Sequence, residues 1–420
     1  MKAIHLISPG AVGRVLARVA SSSTGELAGR SVNIVLPLAL LAIHPPGHAT
    51  DLFFMLMTVA AFSNSTLSNS LSAALVPQLV GDTQPRSILR ILVAAGLIGA
   101  ITSGLAMLWA GLDKASIAWI SGGSVFVICA SGLIAAPAVA THNAQHRYAL
   151  PGLTWALRFI PLILYILARP EQEALHWLLL GIAMADFGRA FILLRFNRHR
   201  LNLLFRARPI EMPVVAGPLI AGTIVVGIIP LAARAIAAGE APGMLSIFEF
   251  ADRLYLGMAS LATIGIGSVV LVYLSHMRNQ SGDADAFGLM LVAAALWALA
   301  WLFAGLAVWS AFDHLSGWVQ LSQSEMQVAA RTFMMLVLGL PPFVLCVFIA
   351  RRFLAAGFGR GLLIVAIINA AVGLSLAWAL CATMSVPGIA LGLSIGQYSA
   401  LLAAFFLLRS LPRHAYSVAV

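Results

Sequence analysis

The chain has 420 residues, of which 61% are apolar and only 10% are charged, and its mean hydropathy is +0.96. A soluble domain carries about 25% charged residues, so the composition excludes an ordinary soluble protein. The net charge of +10 could indicate nucleic-acid binding, but the basic residues fall in short segments between apolar stretches. That distribution is typical of the cytoplasmic loops of a membrane protein, and we expect no nucleic-acid partner.

Apolar stretches long enough to cross a bilayer as helices recur from one end of the chain to the other. We predict about twelve transmembrane helices, at 26–44, 51–79, 88–112, 115–140, 148–168, 173–195, 213–237, 244–275, 285–312, 328–350, 358–382 and 386–409. None of these stretches alternates with the period of a transmembrane strand. The predicted fold class is therefore an all-α polytopic membrane protein.

The basic residues of the connections predict the topology. Every second connection is rich in Lys and Arg, as are both ends of the chain, whereas the intervening connections hold only Lys114 and Arg169. Because Lys and Arg accumulate on the cytoplasmic side, both termini are predicted to be cytoplasmic. This topology requires an even number of spans, in agreement with the count from hydropathy.

The longest basic connection, 195–211, falls at the midpoint of the chain. Weak similarity relates the second spans of the two halves, and also the connections that follow their fourth spans. We therefore predict two six-helix lobes, 1–200 and 213–420, joined by a basic cytoplasmic linker at 201–212 and arranged as a pseudo-twofold repeat around a central cavity. The linker either only fixes the topology or also lies on anionic membrane lipids.

Charged residues inside the predicted spans are the strongest local indication of function. The eighth span begins with three of them, Glu249, Asp252 and Arg253, within five residues. A charged residue at membrane depth costs roughly 2.5–3.5 kcal/mol on insertion scales, so such residues are rare without a role. We therefore expect one face of this helix to border a polar interior.

Four arginines are candidates for binding an anionic head group in that interior. A guanidinium stays charged, and its planar fork can bond two oxygens of a diphosphate. The candidates are Arg30, Arg158, Arg234 and Arg253. The alternative for each is snorkelling to the membrane surface or an ion pair within the membrane, such as Arg253 with Glu249 or Arg189 with Asp186.

Three acidic residues, Asp51, Glu249 and Asp252, are candidates for polar or ion-coupling groups of the same cavity. Asp252 could bind a coupling proton or cation. It could equally cap the start of the eighth helix, where a carboxylate faces the positive helix end.

No arrangement of residues indicates an enzyme. The sequence has no phosphate-binding glycine loop, no HExxH motif, and no Ser/His/Asp grouping outside the loops. Its three cysteines, Cys129, Cys346 and Cys381, lie in apolar stretches without metal-ligand spacing. We predict a protein without catalytic residues, metal or cofactor.

The eighth span also carries a resemblance to a known family. The stretch FEFADRLYLGMASLATIGIGSVVLVYLS, Phe248 to Ser275, resembles the eighth helix of the MviN/MurJ-type lipid II flippases of the multidrug/oligosaccharidyl-lipid/polysaccharide exporter superfamily. Supporting matches are ATDLFFML, HNAQHRYALPG and GLPPFVLCVFIARRFLAAG. The resemblance implies a V-shaped pair of six-helix lobes around a cationic cavity, alternating access, and a polyprenyl-diphosphate-linked sugar as substrate. By position, Arg30, Asp252 and Arg253 match charged residues of that family's cavity.

Several positions depart from the family's pattern. Thr58 stands where the family's second helix carries an arginine, and the uncharged Asn64 and Asn69 lie where further charges are found. Ser31 replaces an acidic residue of the first helix. Ala233 and Gly373 stand at aspartates that some members use for sodium. These departures favour a relative that moves a lipid-linked glycan other than lipid II, without sodium.

The expected function is a flippase in the bacterial inner membrane that moves an undecaprenyl-diphosphate-linked oligosaccharide to the periplasmic leaflet, for peptidoglycan or another polysaccharide. Expected partners are the lipid-linked glycan, anionic membrane lipids and enzymes of glycan synthesis. Two alternatives remain open. One is a drug or metabolite exporter of the same superfamily, and the other is a non-transporting membrane scaffold of a glycan-synthesis complex.

Overall fold

A computed structural model describes most of the chain between Ser31 and Arg409. The described residues are 31–32, 34–62, 67–68, 71–72, 75, 86–110, 115–145, 147, 149–171, 174–197, 201–202, 208–209, 216–277, 283–355 and 358–409. Arg30, Asn64 and Asn69, which the sequence analysis singles out, lie outside them.

The described chain forms helices in all twelve predicted spans. They are α1 (Ile34–Ile43), α2 (His48–Ala61), α3 (Leu89–Ala110), α4 (Ala115–Ala144), α5 (Ala149–Ala168), α6 (Leu175–Phe196), α7 (Ala216–Ala238), α8 (Met244–Met277), α9 (Asp283–Ser310), α10 (Gln323–Leu338 and Leu340–Ala355), α11 (Gly359–Met384) and α12 (Val386–Arg409). Within the described residues, nine helices are long and apolar enough to cross a membrane; α1, α2 and α8 are the others. The predicted all-α polytopic class is confirmed.

Two helices are interrupted, each at a place that the sequence explains. Residues Thr154–Arg158 of α5 form a 3-10 turn. Helix α10 breaks at Gly339, two residues before the first of the two prolines at 341 and 342, which have no N–H to donate to the preceding turn. In α5 the 3-10 turn changes the direction in which the side chains of Thr154–Arg158 leave the helix.

Three two-residue strands join two connections between helices. They are β1 (Arg86–Ser87), β2 (Leu201–Asn202) and β3 (Arg208–Pro209), and β1 pairs in parallel with both others. The described parts of the predicted linker therefore pair with the connection between α2 and α3. This small sheet lies at the end of the helices predicted to be cytoplasmic.

Helix packing follows the two halves of the sequence. In the first half α4 packs on α3 and α6, and α6 packs on α5; in the second half α12 packs on α10 and α11, and α8 packs on α10. Helix α2 contacts helices of both halves, including α7 and α8. The exact extent of the two lobes stays a prediction.

Helices α11 and α12 approach one another closely along their described residues. A Cβ atom on Gly392 would lie 2.2 Å from the backbone nitrogen of Ala377, and one on Gly396 would lie 2.7 Å from the Cα atom of Gly373. Small residues let membrane helices approach in this way. Large apolar side chains instead point outward, as Met184, Phe187 and Phe191 do on α6.

Candidate functional site

Four charged side chains of the second half form one network, which we call the α7–α8 cluster: Arg234, Glu249, Asp252 and Arg253. On α8 the last three occupy positions i, i+3 and i+4, which share a helix face. Arg234 lies on the last turns of α7, which neighbours α8 in the chain. The short connection between the two helices thus brings all four side chains together.

Glu249 is the centre of the α7–α8 cluster and is fully buried. Its carboxylate accepts hydrogen bonds from Arg234 (Nε at 2.6 Å and Nη2 at 3.1 Å) and from Arg253 (Nε at 2.9 Å). Arg234 Nη2 also donates to Asp252 Oδ2 at 2.5 Å. The formal charges of the four residues sum to zero, and charge-assisted bonds of this kind are about twice as strong as neutral ones.

The network bears on two alternatives raised by the sequence. The ion pair between Arg253 and Glu249 is present. The suggestion that Asp252 caps the start of the eighth helix is wrong, because α8 begins at Met244 and Asp252 lies two turns further on. That Arg234 and Arg253 bind substrate, and that Glu249 and Asp252 serve in the cavity, stays a prediction.

A second group of buried polar side chains lies in the first half, and we call it the α5–α6 cluster: Trp155, Arg158, Asp186 and Arg189. Side chains at i and i+3 eclipse one another in a 3-10 turn, so Trp155 and Arg158 leave α5 on the same side. Arg158 binds Asp186 through two bonds, Nε to Oδ1 at 2.7 Å and Nη2 to Oδ2 at 2.6 Å. The substrate-binding role predicted for Arg158 is not tested by this pairing.

Arg189 has a different environment from the other arginines. Asp186 pairs with Arg158 and not with Arg189, which corrects the pairing suggested by the sequence. The Arg189 guanidinium instead lies 3.9 Å from the centre of the Trp155 ring, and its Nε has no hydrogen-bond partner among the described residues. Arg189 is only 5% exposed, so the α5–α6 cluster buries a formal charge of +1.

Asp51 joins neither cluster and connects the two halves of the chain. Its carboxylate accepts hydrogen bonds from the backbone N–H groups of Gly243 (2.6 Å) and Ser246 (2.8 Å) and from the Ser246 hydroxyl (2.6 Å). These donors are the residue before α8 and a residue of its first turn, and the positive end of the helix favours a carboxylate. Asp51, predicted as a cavity residue, thus caps a helix of the opposite half.

Other contacts join the halves at the same end of the molecule. Gly243 has φ +92°, and a Cβ atom there would lie 3.0 Å from Pro46. The backbone N–H of Gln320 donates to the carbonyl of Leu41 at 2.6 Å. This end, where α1 ends and α8 begins, is the one that the topology predicts to be periplasmic.

Thr58, Ala233 and Gly373 are positions where the sequence departs from the family's pattern, and all three lie among the described residues. The Thr58 hydroxyl donates its proton to the Phe54 carbonyl at 2.8 Å, and its oxygen lies 3.4 Å from Glu249 Oε1. Ala233 is fully buried, and Gly373 packs against Gly396. In the described part of the chain, no three His, Cys, Asp or Glu residues are grouped as metal ligands would be.

A cavity of about 80 Å³ borders the α7–α8 cluster. Its polar lining consists of Arg234, Asp252, Tyr255, Ser394 and Gln397. Tyr255, Ser394 and Gln397 were not predicted from the sequence. Tyr255 follows Asp252 by three residues on α8, and this spacing could have placed it on the same helix face as Asp252. Gln397 could have been recognised only as an isolated amide in the apolar helix α12.

Helices in all twelve predicted spans, nine of them in the described residues long and apolar enough to cross a membrane, and the charged side chains buried between them define a polytopic helical membrane protein. The family model described as Lipid II flippase MurJ matches residues 88–418. The chain belongs to this family, as the resemblance of its eighth helix predicts.

Solved structures show the same fold. A structure titled "Lipid II flippase MurJ, inward closed conformation" superposes with a TM-score of 0.72 at 15% identity, over 94% of this chain and 88% of that one. An inward-facing MATE multidrug resistance transporter gives 0.64 at 13% identity, over 96% of both chains. A transporter of the MOP superfamily from Pyrococcus furiosus, described as having a binding pocket of reverse polarity, gives 0.63 at 15% identity, over 94% of this chain and 95% of that one. No curated protein matches the sequence.

Proposed function

We propose that this protein is a flippase that moves a polyprenyl-diphosphate-linked oligosaccharide from the cytoplasmic to the periplasmic leaflet of a bacterial inner membrane. The observation that carries the proposal is the α7–α8 cluster, four charged side chains gathered between apolar helices in a member of the lipid II flippase family. A diphosphate and a sugar cannot enter hydrocarbon without a large cost, so their passage requires a polar path through protein.

Arg253 is the arginine of the cluster best placed to meet a diphosphate. Its side chain is 20% exposed, against 4% for Arg234. Only its Nε and Nη2 bind Glu249, so Nη1 remains for a phosphate oxygen. Arg158 and Arg234 are each held by carboxylates and would have to exchange partners, and Arg30 lies outside the described residues.

Alternating access gives the contacts at the predicted periplasmic end a role. The bonds from Asp51 to Gly243 and Ser246 hold the two halves together there. Release of the substrate into the outer leaflet requires these bonds to break. Asp51 therefore acts in a gate formed by these contacts and not in the cavity. The proposed orientation places both termini in the cytoplasm.

The charge balance favours an anionic substrate over the cationic drugs of an exporter. An exporter of organic cations would need surplus acidic groups in its interior. The α7–α8 cluster is neutral and the α5–α6 cluster carries +1. Thr58 stands where the family carries an arginine, which favours a lipid-linked glycan other than lipid II. Ala233 and Gly373 stand where some members carry aspartates for sodium, which favours transport without sodium. Enzymes of glycan synthesis would supply the substrate.

The proposal is tested in a strain that lacks the gene. We expect surface glycan to be lost and its lipid-linked precursor to accumulate, and the wild-type gene to restore export. Arg253→Lys should restore part of the export and Arg253→Gln none, since only the former keeps the cation. Normal export in the deletion strain, with no redundant transporter, would contradict a flippase. Full rescue by Arg253→Gln at equal expression would favour the scaffold alternative.

A further inference from the structure

The cavity beside the α7–α8 cluster, which we call the inner cavity, contains polar groups without partners. Asp252 uses only Oδ2, in its bond to Arg234. Among the described residues, Asp252 Oδ1, the Tyr255 hydroxyl and the Gln397 amide have no hydrogen-bond partner. Asp252 and Tyr255 are 7% and 8% exposed. None of these atoms is among the fully buried side-chain atoms of the described residues that lack a partner, so their hydrogen-bonding capacity is available to a molecule inside the cavity that they line.

The charges around the inner cavity restrict what can fill it. Arg234 on its wall repels a cation, and the free oxygen of Asp252 repels an anion. The cluster as a whole is neutral, so an ion gains no net attraction from it. The unpaired groups nevertheless include an acceptor (Asp252), a donor and acceptor (Tyr255), and an amide with both capacities (Gln397). A neutral group that both donates and accepts hydrogen bonds satisfies all three.

We infer that the inner cavity is a subsite for hydroxyl groups of a neutral sugar, read by Asp252, Tyr255 and Gln397. The inference rests on the proposed function and adds the part of the substrate that these residues recognise. A hydroxyl donates to Asp252 Oδ1 and accepts from Gln397 or Tyr255. Phe248, which also lines the cavity, offers an apolar surface to the C–H face of a sugar ring.

The size and position of the inner cavity agree with this role. Its volume is about 80 Å³, and a water needs roughly 10–15 Å³ of such space. The cavity therefore takes several hydroxyls along one edge of a sugar ring, while the rest of the glycan stays outside. Pro230 and Gln397 at its rim are exposed and partly exposed, so the cavity is not sealed.

Binding to the full chain in lipid nanodiscs tests the inference with two probes. One is undecaprenyl diphosphate, and the other is the same lipid bearing a single neutral hexose. We expect the wild type to bind the hexose-bearing lipid about tenfold more tightly. Tyr255→Phe and Gln397→Met should each reduce this advantage roughly threefold to tenfold, the value of one hydrogen bond, and leave binding of the bare lipid unchanged. Tyr398→Phe is the matched control, because Tyr398 neighbours Gln397 in sequence but is exposed and donates to the Leu338 carbonyl.

Each alternative result is decisive. Equal affinity of the wild type for both lipids means that the inner cavity holds only water, which overturns the subsite but leaves the proposed function standing. The subsite is also overturned if Tyr255→Phe and Gln397→Met both keep the preference for the hexose-bearing lipid, or if Tyr398→Phe reduces that preference equally. If neither lipid binds to the wild type, the proposed function itself fails.

Discussion

The two buried clusters use the same kinds of residue and differ in charge balance. Each contains two arginines, but the α7–α8 cluster has two carboxylates and the α5–α6 cluster has one. In the first, both arginines bind Glu249; in the second, Arg189 lies over Trp155 and has no carboxylate of its own among the described residues. The α7–α8 cluster therefore balances its buried charges among its own residues, whereas the described residues of the α5–α6 cluster include one more arginine than carboxylate.

Breaking the centre of the balanced cluster should have the largest effect. Glu249→Gln leaves two guanidinium groups without their shared carboxylate, and removing one partner of a buried ion pair costs about 3–5 kcal/mol. We expect a loss of this size in the free energy of unfolding of the protein in detergent, measured by denaturant titration. Glu325→Gln, in the exposed capping box of α10, is the control and should cost only about 1 kcal/mol. Equal losses would contradict the assignment of Glu249 as the centre.

Breaking the Arg158–Asp186 pair should have the next largest effect. Asp186→Asn removes the buried carboxylate that binds Arg158 through two bonds and should cost about 3 kcal/mol. The same denaturant titration measures it. Combined with Glu249→Gln the two losses should add, because the clusters share no residue and lie in different helix pairs. A strongly non-additive pair of losses would show that the clusters are coupled.

Helix boundaries could be read from the sequence far better than side-chain partners. The predicted spans 244–275 and 386–409 correspond to α8 (Met244–Met277) and α12 (Val386–Arg409). They agree because the first and last residues of an apolar stretch can be read from the sequence. The Arg253–Glu249 pair was also accessible, since it lies within one helix at spacing i, i+4.

Partners that depend on packing between helices were not accessible. The sequence suggested Arg189 for Asp186 from their spacing, but the 3-10 turn at Thr154–Arg158 presents Arg158 to Asp186 instead. Asp51 gave no sign that it would cap a helix nearly two hundred residues away. The inner cavity could not be foreseen, because it arises only where α7, α8, α10 and α12 meet.

Releasing the contact between the halves should have a moderate effect. Asp51→Ala removes the carboxylate that caps α8, and the loss of a helix cap costs roughly 1–2 kcal/mol. Because the cap joins the two halves, we also expect the predicted periplasmic end to open more often. A cysteine introduced by Leu41→Cys should then react faster with a membrane-impermeant thiol reagent than in a chain that keeps Asp51. An unchanged rate would show that Asp51 only stabilises α8.

Removing the surplus cation of the α5–α6 cluster should have the smallest effect on stability. Arg189→Met deletes a buried charge without breaking an ion pair, so the free energy of unfolding should change by no more than about 1 kcal/mol, and in the stabilising direction if the charge is uncompensated. Arg234→Met is the matched change in the balanced cluster and should cost about 3–5 kcal/mol. Similar costs for the two variants would mean that Arg189 is as well paired as Arg234.

Reconstitution into liposomes can show whether this chain moves a lipid-linked sugar across a bilayer. Liposomes containing the protein and an undecaprenyl-diphosphate-linked hexose are exposed to an enzyme that modifies the hexose but cannot enter the vesicle. With the wild type, the fraction of hexose-bearing lipid that is modified should exceed the fraction present in the outer leaflet and approach completion. With Arg253→Gln, modification should stop once the lipid of the outer leaflet has reacted. A wild-type result no different from that of protein-free liposomes would contradict the account.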